Sequence, residues 1–224
     1  MFIMTKIRRR PFPLNLKALR ACRVSYSQYG EDLFLTGILG YERTEGTYVD
    51  VGCFHPIFYS NSYIFYQRGW RGLAIDPNPR FKSAWDHYRP KDVFLNFAIA
   101  KTSGEKTYLV NERNPELNTI VDDKQISEFD STRYKVSSCS AFPLRDVLDK
   151  YLAGRRIDLL NVDCEGRDIE VLETNDFEKY RPFMLAVEDI DISPDTKINQ
   201  FLQGLDYEYK AYIGLTKIFQ DNRK

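Results

Sequence analysis

The chain lacks net charge, with 32 lysines and arginines offset by 32 aspartates and glutamates. No global field draws it to nucleic acid or to an anionic surface, so nucleic-acid binding becomes a minor expectation. It also lacks any apolar run near the roughly 18 residues that span a bilayer. Its basic start is not followed by the continuous apolar segment of a secretory signal. Only four cysteines occur, Cys22, Cys53, Cys139 and Cys164, far apart and without C-x-x-C spacing. Neither a disulfide scaffold nor a zinc site is suggested, and a reduced, cytoplasmic protein is the simplest expectation. The 224 residues, 43% hydrophobic and 29% charged, have ordinary globular composition and suffice for one large α/β domain.

Charge is nonetheless unevenly placed. Residues 1–30 contain Lys6, Arg8, Arg9, Arg10, Lys17, Arg20 and Arg23 and no acid, with Leu14, Ala18, Leu19 and Cys22 at spacings that suit a short apolar stripe. We separate residues 1–24 as a basic segment from a single domain at 25–224. Charge runs are usually solvated, and a solvated tail is the expected reading. The alternative is peripheral contact with anionic lipid or a phosphate-bearing acceptor.

Short apolar runs at 47–51, 72–75, 93–99, 157–162 and 183–188 read as parallel strands buried on both faces. Helical patterns lie between them at 60–68, with Ser60 or Asn61 as N-cap, and at 79–88, 143–152 and 167–174. Segments 206–213 and 215–220 flank Gly214 and read as a hairpin. The predicted fold is therefore α/β: a mostly parallel central sheet, helices on both faces and a C-terminal antiparallel hairpin, the arrangement of Rossmann-like methyltransferases. Within 101–142, GEKTYLV is a further strand candidate, and the polar stretch 111–136 reads as a lid loop that recognises the acceptor. Trp70, Trp85 and Tyr88 are not read as a sugar-stacking platform, because Trp70 precedes a buried strand and Trp85 sits in a helix at core-like spacing, where aromatics usually pack.

Two strand ends carry acids about one helix apart: YVDVGCFHP at 48–56 and LAIDPNP at 73–79. In a doubly wound sheet, glycine at the first strand-to-helix turn and an acid after the second strand hold a nucleoside at the strands' carboxyl ends. Gly52 and Asp76 occupy those places. Cys53, Phe54, His55 and Pro56 stand where a dinucleotide fingerprint needs glycines, so S-adenosylmethionine fits better than a pyrophosphate cofactor. Singly, Asp50 and Asp76 read as solvated turn acids; their shared placement favours a site.

A second constellation is NVDCEG at 161–166. Residues two apart in a strand share a side, so Asp163 and Glu165 project together from the rim, and Glu188 ends the next strand. Such acids need a proton, a donor or a cation. Either Asp163, Glu165 or His55 is a general base for an acceptor hydroxyl, or Asp163, Glu165 and Glu188 hold Mg²⁺ or another divalent cation. The plain alternative is that Asp163 and Glu165 cap the following helix and Glu188 pairs with an arginine.

Taken in order, SYSQYGEDLFL at 25–35, VDVGCFHPIFYSNSYIFYQRGWRGLAIDPNP at 49–79, LNFAIA at 95–100, FPLRDVLDKYL at 142–152 and IDLLNVDCEGRDIEVLETNDFEKYRPFMLAVE at 157–188 resemble the FkbM family of S-adenosylmethionine-dependent methyltransferases. The resemblance implies a class I methyltransferase fold and methyl transfer to oxygen, commonly a sugar hydroxyl of a glycan or glycoconjugate, or a hydroxyl of a small natural product. It implies cofactor contacts from Asp50, Gly52 and Cys53, a ribose acid at Asp76 beside Pro77, and adenine contacts near Asn96 and Ala98. Ser60, Asn61 and Ser62 match its S-N-T segment, and Gln28, Glu31 and Asp32 match its early Q-x-G-E-D. Asp163, Glu165 and Glu188 then face the transferable methyl. The His-Pro pair at 55–56 departs from the commonest first motif. An oxidoreductase is disfavoured by the missing phosphate glycines. A nucleic-acid methyltransferase is disfavoured by zero net charge and by the lack of an N/D-P-P-Y-type motif. A non-catalytic cofactor-binding protein remains the alternative.

Overall fold

The computed structural model describes residues 19–223, so the basic arm expected over 1–24 lies outside the described residues except for its exposed last six. In chain order, the first elements are α1 (Glu31–Leu39), β1 (Thr47–Val51), α2 (Tyr63–Gln67), β2 (Arg71–Ile75), α3 (Lys82–Tyr88), β3 (Val93–Leu95) and β4 (Ala98–Ile99). There follow β5 (Gly104–Asn111), β6 (Thr119–Val121), β7 (Tyr134–Phe142), α4 (Leu144–Tyr151), β8 (Leu159–Val162) and α5 (Asp168–Glu173). Last come β9 (Met184–Glu188), α6 (Lys197–Gly204), β10 (Tyr207–Ile213) and β11 (Thr216–Asp221).

Seven strands form the main sheet in the order β10-β11-β9-β8-β1-β2-β3. The neighbours from β9 to β3 pair in parallel, whereas β11 runs antiparallel to both β9 and β10. The parallel strands read as unbroken apolar runs because both faces are covered, and β8 and β9 are buried at every residue. Alternation splits their side chains into two cores. Val49, Val51, Leu160, Val162, Leu185 and Val187 pack with Leu148 of α4, Leu172 of α5 and Leu202 of α6. Tyr48, Leu159, Met184 and Ala186 face the other way, onto Leu35 and Leu39 of α1, Phe65 of α2 and Trp70. Trp85 of α3 packs on Ala74 and Cys53. Among the described residues no helix is long and apolar enough to cross a membrane.

Several expected boundaries move. The run 93–99 is two strands: Asp76 N–H donates to the Leu95 carbonyl (3.1 Å) and the Asn96 amide to the Asp76 carbonyl (2.9 Å), so the chain leaves the main sheet there. Ala98–Ile99 joins a second sheet of order β4-β7-β5-β6. The stretch expected as a lid loop at 111–136 therefore contains β6, two 3-10 turns and the start of β7. Helix α2 begins later than expected, with Ser62 at the N-cap, while the Ser60 hydroxyl accepts from the Tyr63 N–H (3.1 Å). Segment 79–88 opens with a 3-10 turn.

Candidate active site

The carboxyl ends of β1, β2, β8 and β9 open into a cavity of about 340 Å³, within the size range of small-ligand sites. At its floor β1 ends in Gly52, whose φ is 75°. A Cβ there would overlap the backbone carbonyl oxygen of Asp163, because β1 and β8 are held together by the Asp163 N–H to Val51 carbonyl bond (3.0 Å). Only glycine fits this close approach.

Asp50 and Asn161 are register partners on β1 and β8. The Asn161 amide donates to Asp50 (2.9 Å) and accepts from the Asn61 amide (2.9 Å). The Ser62 hydroxyl donates the second bond to Asp50. Burial pushes the Asp50 carboxyl up, and the nearby Arg89 guanidinium opposes that shift. Cys53, buried beside it, has its thiol pushed well up by burial.

Asp76, ending β2, is buried with one oxygen accepting from the Phe54 N–H (2.9 Å) and the other from the Asn78 N–H (2.7 Å). Burial raises its carboxyl to about 6, against those two donors. Pro77, Ala98 and Gln28 also line the cavity. Asn96 does not line it; it ties the Asp76 backbone in place.

Across the cavity, Asp163, Glu165 and Glu188 bring carboxylate oxygens within 4.8 Å of one another. Burial, then Glu188, holds Asp163 well above the ordinary carboxylate range. Glu188 is also raised by burial, although Asp163 and the Glu165 N–H supply hydrogen bonds that moderate it. Burial and the Glu188 charge push Glu165 to about 8, with φ at 53° in the turn. No side chain caps α5; Asp168, its first residue, instead accepts from the N–H groups of Cys164 (2.8 Å) and Gly166 (3.1 Å) in the turn before it and is raised by burial to about 7. Burial and mutual repulsion raise the proton affinity of the whole cluster, whose members titrate together.

His55 stands outside the cavity lining. Its Nδ1 accepts from the N–H groups of Ile57 (3.1 Å) and Phe58 (3.2 Å), and burial lowers its pKa; it staples a turn, which removes the reason to call it a base. Ser60 and Asn61 likewise lie one layer behind the lining. Glu31 and Asp32 are buried and serve the turn before α1: Asp32 accepts from Ser25, Ser27 and the Tyr26 N–H, and Glu31 from the Tyr29 N–H.

The sequence reading did not single out Asn161, although the N-x-D alternation along β8 puts it on the side of Asp163. It also missed the wall from the second sheet, Tyr108, Asn118, Thr119 and Ile120, and the aromatic mouth of Phe54, Tyr59 and Phe97. Phe54 and Tyr59 both have positive φ, 46° and 57°, a strained backbone of the kind that clusters at ligand clamps.

These features define an α/β protein with a small-ligand-sized cavity beyond the carboxyl ends of its parallel strands, the place where open α/β sheets bind ligands. The family model described as Methyltransferase FkbM domain matches residues 48–209, from β1 to the start of β10. The chain belongs to the FkbM methyltransferase family. No curated protein matches it.

Proposed function

We propose that the protein is an S-adenosylmethionine-dependent O-methyltransferase of the class I, Rossmann-like type, acting on a sugar hydroxyl of a glycan or glycoconjugate. The observation that carries this is one cavity lined together by Gly52, Asp76, Asp163, Glu165 and Glu188. The order of the main sheet, with one antiparallel pair beyond five parallel strands, supports the fold assignment. Asp76 suits the ribose hydroxyls, Pro77 and Ala98 the adenine side, and Asp50 with the Gly52 turn the methionine part, sulfur included. The bound cofactor supplies an electrophilic methyl group; the protein's task is alignment and removal of the acceptor's proton.

A hydroxyl gives up its proton only to a group basic enough to take it. Glu165, raised to about 8, is basic for a carboxylate, and the Asp163–Glu188 pair orients it. The acceptor enters past Phe54 and Tyr59, whose rings stand 6.2 Å apart at 27°, beside the exposed Phe58, and an aromatic mouth suits the apolar face of a sugar ring. The wall from β6 and the 3-10 turn before it holds the acceptor's other side. The proximity of the three carboxylates favours a second reading, a divalent cation bound by Asp163, Glu165 and Glu188 through oxygen ligands.

Calorimetric titration with S-adenosylhomocysteine, with NAD as control and with or without Mg²⁺, tests the reading. The homocysteine derivative binds in the micromolar range and NAD does not. Asp163→Asn abolishes methyl transfer while leaving cofactor affinity within a few-fold; wild-type turnover in that variant would remove the role. Turnover undiminished by EDTA would remove the cation.

A further inference from the structure

Arg89, at the C-terminus of α3, is fully buried and does not line the cavity. Its Nε donates to Asp92 (2.7 Å). Asp92 also accepts from the Tyr48 hydroxyl (2.6 Å) and the Gly72 N–H (3.0 Å). Nη1 donates to the Ser62 hydroxyl (2.9 Å) and, at longer range, to Ser60 (3.3 Å) and the Pro56 carbonyl (3.4 Å). Nη2 has no hydrogen-bond acceptor; the guanidinium lies against the rings of Trp85, Tyr48 and Tyr66, 4.2–5.3 Å from their centroids. So large a buried investment at a helix end calls for more than packing.

The Ser62 hydroxyl accepts from Arg89 and donates to Asp50, which makes it a relay between a buried cation and the cavity floor. The other partner of Asp50 is the neutral amide of Asn161. Asp50 thus has no cation in direct contact, while Asp92 takes the direct ion pair. One cation serves two carboxylates, leaving one negative charge in excess at the floor. The cavity side does not cancel it. Asp76, Asp163, Glu165 and Glu188 are acids, and Arg167, the lone lysine or arginine among the lining residues, is engaged by Glu170 (2.6 Å).

We propose that Arg89, acting through Ser62 on Asp50, maintains one uncompensated negative charge at the cavity floor, and that this charge makes the site discriminate between a sulfonium cofactor and its neutral thioether product. The inference rests on the methyl-transfer reading above. In that reaction a C–O bond forms to the acceptor and the C–S bond breaks, with its electron pair left on sulfur. The acceptor's proton passes to the carboxylate cluster. The positive charge thus leaves the cofactor's sulfur and resides as a proton on the carboxylate cluster, so Asp50 loses its counter-charge on the cofactor and the floor favours the sulfonium over the thioether. Arg89 is a positioning residue here; it touches neither ligand.

The test is the ratio of dissociation constants for S-adenosylmethionine and S-adenosylhomocysteine, both measured on each preparation, so that any loss of folded fraction cancels. Asp50→Asn removes the charge, while Ser62→Ala and Arg89→Met take away the two groups that do most to hold buried Asp50 ionised; each shifts the ratio against S-adenosylmethionine, roughly ten- to fifty-fold, the attraction of one unit charge across several ångströms at protein-like dielectric. In the Asp50→Asn background Arg89→Met moves the ratio no further, because the charge it governs is already gone. Equal weakening of both ligands in Asp50→Asn, or full additivity in the double variant, would overturn the inference while leaving the methyltransferase reading intact. Failure of the wild-type protein to bind either ligand would overturn that reading and this inference with it.

Discussion

Gly52→Ala tests the central geometric claim that β1 and β8 close on each other so tightly that only glycine fits beneath the site. Two costs add. The left-handed φ of 75° costs a residue bearing a Cβ about 1–2 kcal/mol. The new methyl group would overlap the Asp163 carbonyl, so the strand ends must part and the Asp163 to Val51 hydrogen bond (3.0 Å) weakens, at about 1 kcal/mol. The sum is about 2–3 kcal/mol. Gly154, past α4, supplies the control: its φ is 81°, yet a Cβ there meets nothing within 4 Å, so Gly154→Ala carries the conformational cost alone. Urea unfolding of the three proteins separates the costs. With a slope near 3 kcal/mol/M, reasonable for a chain of this size, Gly52→Ala lowers the midpoint by about 1 M and Gly154→Ala by about half as much. The variant also loses S-adenosylhomocysteine affinity, because the Asp163 backbone is displaced. If Gly52→Ala were no less stable than Gly154→Ala, the close approach would not exist and the cavity floor would be wrongly drawn.

Three further outcomes follow from the side chains around the site. Glu165, Asp168 and Asp76 have folded-state pKa values of about 8, 7 and 6, above their unfolded values near 4. The folded state then binds more protons than the unfolded chain between about pH 4 and 8, so stability is greatest at the acidic end of that window and falls as pH rises through it. Thermal melts of the ligand-free protein show this fall, Asp168→Asn flattens it, and a melting temperature that rises from pH 5 to 8 would contradict the assignment. His55→Ala frees the turn that Nδ1 staples, so amide exchange at 57–58 speeds up while the acidic limb of the pH–rate profile keeps its position; a lost limb would restore His55 as a base. Lys217 is fully buried, bridging Asp189 (2.9 Å), the Ser193 carbonyl (2.8 Å) and Thr196 (3.0 Å). Lys217→Met strands the Asp189 charge and lowers stability by about 3 kcal/mol, with faster exchange across 189–196, whereas unchanged exchange there would show that the lysine does not hold the loop.

The parallel strands were legible because burial on both faces turns each into a short apolar word: Leu159–Val162 and Met184–Glu188 are read directly from composition. The second sheet was hidden for the opposite reason. Strand β7 turns most of its side chains to solvent, with Ala141 its one buried residue, and its small core draws on Tyr108, Ile120 and scattered alanines. No period of two survives in such a sequence, and the polar stretch before it therefore reads as a lid. Gly52, Asp76, Asp163 and Glu165 were legible because strand ends announce themselves. Arg89 and Asp92 were not, since a charged pair at the end of an amphipathic helix normally reads as surface, and only the fold shows both side chains fully enclosed. His55 illustrates the reverse error: its pKa class suggested chemistry, while the two backbone N–H groups within reach had the prior claim on its free nitrogen.

The energetic logic of the site follows from where the donors run out. Asp92 takes a hydroxyl, a backbone N–H and a guanidinium, and Asp76 takes two backbone N–H groups; such acids are stabilised by the scaffold whatever the cavity holds. Asp163 and Glu188 instead lean on each other, and Glu165 has burial and a neighbouring charge against it. A fold selected only for stability would have given these three donors or replaced them, since unpaired acids at partly buried positions weaken it. Their arrangement makes sense if the compensating partner is supplied from outside, as an acceptor proton in transit or a cation. The strain is concentrated at the same place: the positive φ of Glu165 faces, across one cavity, those of Phe54 and Tyr59. Destabilised charge and strained backbone converge on the lining of one cavity, and the proposed transfer of a methyl group to a hydroxyl would use both there.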